Sequence, residues 1–145
     1  MRNKTEFSLI PINSNKEHIE ILYNLLKERV HNISHKQLPS YEEHKSFILN
    51  HPYREWFLVK SNGTYYGSIY VLDNNCIGIN IDADNENIIK KSINWIASQI
   101  KPLPGIKSVR NKNFHININP NNKKMAKILS NLNADLIEHT YIIKQ

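Results

Sequence analysis

The sequence predicts an α/β fold with a mixed central β-sheet and helices on both of its faces. Segments with the two-residue period of a strand alternate along the chain with segments whose apolar residues recur at helical spacing. An alternating order of this kind favours a sheet covered by helices. The 145 residues contain no internal repeat and no low-complexity linker, so we expect a single domain over 1–145.

The first half of the chain is expected to form a strand, two helices and an antiparallel meander. Ser14-x-x-Glu17 and Ser40-x-x-Glu43 have the spacing of capping boxes, and each is expected to begin a helix. Asn62-Gly63 is a hairpin signal because both residues tolerate positive φ. The strands expected in this half are 7–12, 56–60, 65–72 and 76–81.

The second half is expected to add two helices and two strands. Isoleucines at 89, 93, 96 and 100 share one helical face. Phe114, Ile116 and Ile118 alternate with polar residues, which predicts a strand over 114–119. The unit from 76 to 118 should be a right-handed crossover that pairs two parallel strands. Met125, Leu129 and Leu132 predict a last helix, and 136–144 a closing strand.

Composition excludes several classes of protein. Cys76 is the only cysteine, so no intramolecular disulfide forms, and no run approaches the ~20 apolar residues of a membrane helix. We therefore expect a cytoplasmic protein with no membrane partner.

No zinc-type cluster of Cys and His occurs, so no metal is expected. The net charge of +6 is scattered, and we expect no nucleic-acid partner; a basic nucleic-acid-binding domain stays open only if the lysines form one contiguous face.

Short motifs in both halves, together with the order of elements, point to one superfamily. The motifs are Asn32-Ile33-Ser34-His35-Lys36, Glu42-Glu43-His44, His51-Pro52-Tyr53-Arg54-x-Trp56, Gly67-Ser68-Ile69-Tyr70, Ile77-Gly78-Ile79, Asn117-Ile118-Asn119-Pro120-Asn121-Asn122 and Thr140-Tyr141. They resemble the GNAT superfamily, the CoA-dependent N-acyltransferases. The resemblance implies a GNAT-like fold in which strands 76–81 and 114–119 splay apart and hold the pantetheine arm of acetyl-CoA.

The resemblance also implies residues for the site. The cofactor-binding residues would be Ile79, Asn80, Ile81, Asn119 and Asn122, and the substrate-binding residues Asn32, Ser34, Tyr53 and Arg54. The catalytic residues would be His35, Tyr70 and Tyr141. His35 is the candidate base because imidazole titrates near neutrality, and either tyrosine would act as the acid or hold the acceptor. Structural alternatives stay open: local hydrogen bonding for His35, sheet packing for the tyrosines, helix capping for Asn122 and an exposed ion pair for Arg54.

The chain departs from the GNAT pattern at the loop that normally binds pyrophosphate. A glycine-rich loop there offers backbone N–H groups at a helix start, whereas this chain reads Ile81-Asp82-Ala83-Asp84-Asn85-Glu86-Asn87-Ile88, with no glycine and three carboxylates. Leu129 replaces the usual acidic tyrosine, and Asn133 the usual glycine.

Two functions remain from the sequence. The first is an N-acyltransferase that moves an acetyl or acyl group from acyl-CoA to a small amine, for example an amino sugar or sugar nucleotide. The second is an inactive GNAT-fold binding or scaffold protein that has lost acetyl-CoA. A homodimer is compatible with either function.

Overall fold

The described part of the chain is built around one four-stranded antiparallel sheet. The computed structural model describes residues 6–32 and 37–145, except for the side chains of 30–32. The elements are β1 (Ser8–Pro11), α1 (Lys16–Asn32), α2 (Tyr41–Leu49), β2 (Glu55–Ser61), β3 (Thr64–Val71), β4 (Ile77–Ile81), α3 (Glu86–Gln99) and α4 (Lys123–Asn131). The strand order is β1-β2-β3-β4, and each neighbouring pair is antiparallel.

Each face of this sheet is buried under a pair of helices, which confirms the expected layering. Ile19 and Leu22 of α1 and Ile48 of α2 pack with Leu58 on one face. On the other face, residues of α3 and α4 pack against strand residues; the fully buried ones include Ile69, Val71, Ile89, Ile96 and Ile128. Alternate strand residues point to opposite faces, so each strand contributes to both cores.

The parallel junction of the expected mixed sheet is a single bridge between Cys76 and His115. The stretch 114–119 otherwise forms no strand, so the predicted continuous strand is wrong. Its alternation reflects packing instead, because Phe114, Ile116 and Ile118 lie against the core that α3 and α4 cover. The strand period therefore identified the buried side chains but not the backbone pairing.

Asn75 fixes the geometry at this bridge. It lies in the left-handed region with φ 71°, and it is fully buried. Its Nδ2 donates to the carbonyl oxygens of Leu103 and Asn111 at 2.9 and 2.7 Å, and its Oδ1 accepts from the Leu103 N–H at 2.7 Å. The His115 N–H donates to the Asn75 carbonyl oxygen at 3.0 Å. One side chain thus ties the turn before β4 to the loop that follows α3.

Two local expectations fail. The closing strand predicted over 136–144 is absent, and the side chains of Leu136 and Ile142 are 81% and 88% exposed. An alternating sequence forms a strand only where a partner edge is available. The capping box at Ser14 is also replaced: the Oδ1 of Asn15 accepts from the His18 N–H at 2.8 Å. The second box is confirmed, since Ser40 and Glu43 cap α2 reciprocally.

Candidate functional site

The outer edge of β4 opens immediately after the bridge. The Ile77 N–H donates to the His115 carbonyl oxygen at 2.8 Å, and among the described residues β4 has no further strand partner on that side. Backbone groups alternate in direction along a strand, so Ile79 and Ile81 present theirs to this open edge. The backbone of Asn80 instead faces β3, where it pairs with Ser68.

A cavity of about 370 Å³ lies beside this edge, on the face that α1 and α2 cover. Leucines of α1 and Phe47 of α2 form apolar walls, while Trp56, Ser68 and Asn80 form the floor. The floor extends from β2 across β3 to β4. The cavity therefore ends next to the strand whose outer backbone groups are open.

An aromatic stack stands on β4 at the same place. The rings of Tyr53 and Tyr70 are parallel, with centroids 3.9 Å apart. Tyr70 lies across Gly78, where a Cβ atom would overlap the ring. Trp56 meets the Tyr53 ring edge-on at 5.0 Å. Gly78 is thus needed for the ring of Tyr70 to lie flat over the strand.

The cavity lining contains four titratable residues, Arg29, Glu43, His44 and Tyr53. His44 of α2 is 9% exposed, and its Nε2 is buried without a hydrogen-bond partner. Burial, helped by the nearby charge of Arg29, lowers the pKa of His44, which favours a neutral imidazole. Arg29 is exposed as a whole residue, and partial burial of its guanidinium lowers its pKa, but a guanidinium stays protonated in proteins. Burial and the neighbouring Tyr70 raise the pKa of Tyr53, so its hydroxyl keeps its proton.

The acidic loop before α3 is largely neutralised by lysines. Asp84 forms an ion pair with Lys124 of α4, and Glu86 forms one with Lys90 at 2.8 Å. The hydrogen bond from Lys90 lowers the pKa of Glu86, and Asp84 raises that of Lys124. Both pairs are exposed to solvent, which limits the contribution of each. Two of the three carboxylates are therefore paired within the protein.

The backbone at the start of α3 has open N–H groups, as an anion site does, whereas the side chains around it are acidic. The Oδ1 of Asp82 accepts from the Asp84 N–H at 2.9 Å, and the cap residue Asn85 makes no side-chain capping bond. Within the described ranges, no protein acceptor is found for the first N–H groups of the helix, those of 86–88. Open N–H groups at a helix start attract anions, although the loop carboxylates oppose this attraction.

The structure brings some of the sequence-predicted site residues together and separates others. Tyr53 and Tyr70 stack, Asn80 reaches the cavity with its side chain, and Ile79 and Ile81 form the open edge. Arg54 does not line the cavity, and its Nη1 is buried without a partner among the described residues. The side chain of Tyr141 is 80% exposed on the C-terminal segment. His35, Ser34 and the side chain of Asn32 lie outside the described residues.

The two asparagines predicted to bind the cofactor have local roles. The Oδ1 of Asn122 accepts from the Met125 N–H at 3.1 Å and so caps α4. The Oδ1 of Asn119 accepts from the Asn121 N–H at 2.8 Å. Asn133, which replaces the usual glycine, has φ 61° just after α4. Asparagine tolerates this left-handed conformation at a helix end, so the backbone shape is kept.

The residues that sequence reasoning missed are Arg29 and His44. The available signal was a polar residue on an apolar helical face: Arg29 continues the face of Leu22 and Leu25, and His44 precedes the buried Ile48 by one turn. Spacing alone could not show that the two faces meet at one cavity.

Other kinds of site find no support in the described part of the chain. It contains no group of three or more His, Cys, Asp or Glu residues that could hold a metal ion. Within the same ranges, no helix is long and apolar enough to cross a membrane. Cys76 is buried, and burial raises the pKa of its thiol, which disfavours the nucleophilic thiolate.

Comparison with solved structures identifies the fold. A possible acetyltransferase from Clostridium difficile 630 matches with a TM-score of 0.61 over 96% of this chain and 97% of its own, at 10% identity. The chain has a GNAT-like acetyltransferase fold. A second match is an aminoglycoside acetyltransferase from an uncultured soil metagenomic sample, in complex with sisomicin; its TM-score is 0.55 at 10% identity, over 96% of this chain and 97% of its own. No family model matches the sequence, and no curated protein does either.

Proposed function

We propose that the protein is an N-acyltransferase that moves an acyl group from acyl-CoA to a small amine bound in the cavity beside β4. The observation that supports this most directly is the open strand edge after the Cys76–His115 bridge, next to a cavity of ligand size. Ligand sites commonly enclose about 300–1,000 Å³. The edge and the cavity meet at β4, as a transfer between two bound reactants requires.

The acyl donor would bind chiefly through backbone groups. Ile79 and Ile81 offer their open N–H and C=O groups to an extended amide-containing arm, which would bind as an added strand does. The first N–H groups of α3 would meet the pyrophosphate, and Lys90 and Lys124 would offset part of the loop's negative charge. These residues fit acyl-CoA, with weaker binding than an uncharged glycine-rich loop would give. When bound, the thioester supplies the acyl group, and its C–S bond breaks as the C–N bond forms.

Two side chains would handle the protons. A neutral His44 would accept the proton that the attacking nitrogen loses, since general bases work best with a pKa near the operating pH. Tyr70, which lies across β4, would donate a proton to the leaving sulfur. A proton returned from the imidazolium to the tyrosinate then restores both groups. In this proposal His44 takes the role that the sequence suggested for His35, while Tyr70 keeps the acidic role.

The acidic loop favours one alternative, a GNAT-fold binding module that has lost acyl-CoA. Thermal unfolding with and without acetyl-CoA separates the two functions. A ligand at a hundred times its dissociation constant stabilises a protein by about 2.7 kcal/mol, and a shift of several degrees should follow. No shift at saturating millimolar acetyl-CoA would refute the enzyme proposal and leave the binding module.

The loop charges offer a more specific measurement. The double variant Asp84→Asn/Glu86→Gln should bind acetyl-CoA about two- to fivefold more tightly, because carboxylates within several ångströms repel a pyrophosphate weakly through water. Glu20→Gln is the matched control, since Glu20 forms a similar exposed pair with Lys16 on α1. A gain that persists in 1 M salt would contradict the electrostatic explanation, because screening is then nearly complete.

A further inference from the structure

Two side chains that line the cavity each have a buried nitrogen without a hydrogen-bond partner among the described residues. The Nε1 of Trp56, a residue 7% exposed, is buried without a hydrogen-bond partner, as is the Nε2 of His44. An indole nitrogen only donates. The Ser68 hydroxyl and the Asn80 amide also line the cavity, and each can both donate and accept hydrogen bonds. The cavity lining therefore combines polar groups with apolar walls.

The charged residues of the cavity lining favour an anionic ligand group. Arg29 lines it and forms no ion pair with a carboxylate in the part of the chain that is described. The one acidic residue of the lining is Glu43, whose Oε1 accepts from the Ser40 N–H at 3.3 Å in the capping box. A cation beside one partly engaged carboxylate favours an anionic ligand group. An arginine also matches the planar geometry of a carboxylate.

The rest of the lining is apolar or aromatic. Leu22, Leu25 and Leu26 form the α1 wall, and Phe47 faces them from α2. The edge of the Phe47 ring meets Trp56 with centroids 5.9 Å apart. Apolar walls of this kind bind an aliphatic or aromatic body by removing its surface from water. The volume, about 370 Å³, lies near the lower limit for ligand sites.

We propose that the acyl acceptor is a small apolar α-amino acid whose carboxylate is bound by Arg29 and whose side chain packs between α1 and α2. This inference rests on the proposed function, and it names the acceptor class for that site. The carboxylate oxygens accept from the guanidinium of Arg29, which lines the cavity. In this proposal the amino group lies within reach of His44 and Tyr53, which line the same cavity.

This acceptor differs from the ligand of one structural neighbour. Sisomicin, which is bound to the soil aminoglycoside acetyltransferase, is an aminoglycoside and carries several amines. Several ammonium groups would need several carboxylates, whereas this cavity offers Arg29 and the engaged Glu43. Like charges near Arg29 would repel such a ligand. In this proposal the ligand group bound by Arg29 is an anion, which an aminoglycoside does not supply.

Binding measured without any acyl donor tests the proposal independently of turnover. Isothermal titration would compare L-phenylalanine with L-phenylalaninamide, which differ in the carboxylate alone, and both with sisomicin. We expect the free acid to bind about 10- to 100-fold more tightly than the amide, since hydrogen bonds between charged groups are the strong ones. Sisomicin should bind most weakly. Selective binding without acyl transfer would support the acceptor class while refuting the enzyme proposal.

Variants of Arg29 test whether this residue causes the preference for the free acid over the amide. Arg29→Ala should reduce the ratio of acid to amide affinity to below about threefold, and Arg29→Lys should keep part of it because the charge remains without the planar fork. Lys27→Ala is the matched control: it removes one positive charge from the same helix, at a residue outside the cavity lining. A full ratio in Arg29→Ala, tighter binding of the amide or sisomicin, or no saturable binding of phenylalanine would each overturn the proposal.

Discussion

The Tyr53–Tyr70 stack depends on the absence of a side chain at Gly78, which makes Gly78→Ala the sharpest test of the cavity geometry. A Cβ at this position would lie closer than 3.0 Å to three atoms of the Tyr70 ring, a separation that real Cβ atoms essentially never show. Gly78 has no positive φ, so the substitution adds no backbone strain. The ring must therefore move until ordinary contacts of about 3.5–4 Å are restored.

The size of the effect follows from two losses. Overpacking costs about 1–3 kcal/mol, and breaking the stack removes about 0.5–1.5 kcal/mol. Together they amount to about 2–4 kcal/mol. At about 3 °C per kcal/mol for a chain of this length, the melting temperature should fall by about 6–12 °C.

The matched experiment places the same substitution in a Tyr70→Ala background. Calorimetry or circular dichroism of the four proteins then gives a double-mutant cycle, in which residues in contact show a large coupling energy. Gly78→Ala should cost less than about 1 kcal/mol once the ring is gone. An equal loss in both backgrounds would show that the clash is not with Tyr70, and a melting temperature unchanged by the single variant would refute the stacked arrangement.

Two further perturbations test the cavity and the bridge. Burial lowers the pKa of His44 from its ordinary value of 6.5, so the unfolded state binds the proton more readily; this contribution to stability is complete above pH 6.5 and is lost as the pH falls below it. Urea unfolding across that range should show the loss, and His44→Asn should flatten it; an unchanged slope would rule out His44 as the source. Asn75→Ala leaves one N–H and two carbonyl groups of the loop after α3 without partners, and we expect a loss of about 3–5 kcal/mol in denaturant unfolding. Asn74→Ala, which removes one partly buried local bond, should cost about 0.5–1.5 kcal/mol, and equal losses would contradict the special role of Asn75.

Helix capping was predictable from the sequence where few residues compete for the same backbone N–H groups. The box at Ser40 and Glu43 formed as its spacing predicts. The similar spacing at Ser14 did not, because Asn15 stands next to it and its Oδ1 takes the capping role. Asparagine is as good a cap as serine, so the choice between neighbours depends on the geometry of the whole turn.

Pairing between distant segments was less predictable from the same periodic signals. Phe114, Ile116 and Ile118 alternate as a strand does, and they pack partly buried against the core, yet only His115 of this stretch forms a bridge. The closing segment alternates as well and remains exposed at Leu136. Periodicity reports which side chains are buried together, whereas hydrogen-bonded pairing requires a free edge that no local pattern specifies. The cavity was missed for the same reason, since Arg29 and His44 meet only in three dimensions.

The two sides of the candidate site are built from different groups, and this difference governs how sequence changes act on them. The acceptor side depends on side chains such as Arg29 and Trp56, which a single substitution removes. The proposed donor side depends on the backbone of Ile79 and Ile81 and on the start of α3, and among substitutions only those to proline delete a backbone N–H. Compared with a glycine-rich loop, the carboxylates of this loop therefore repel a pyrophosphate, and its larger side chains keep the pyrophosphate farther from the backbone. The backbone N–H groups that would bind the pyrophosphate are still present. An altered loop alone is thus expected to weaken the affinity for acyl-CoA by a modest factor, and complete loss of binding would require the edge of β4 to be blocked.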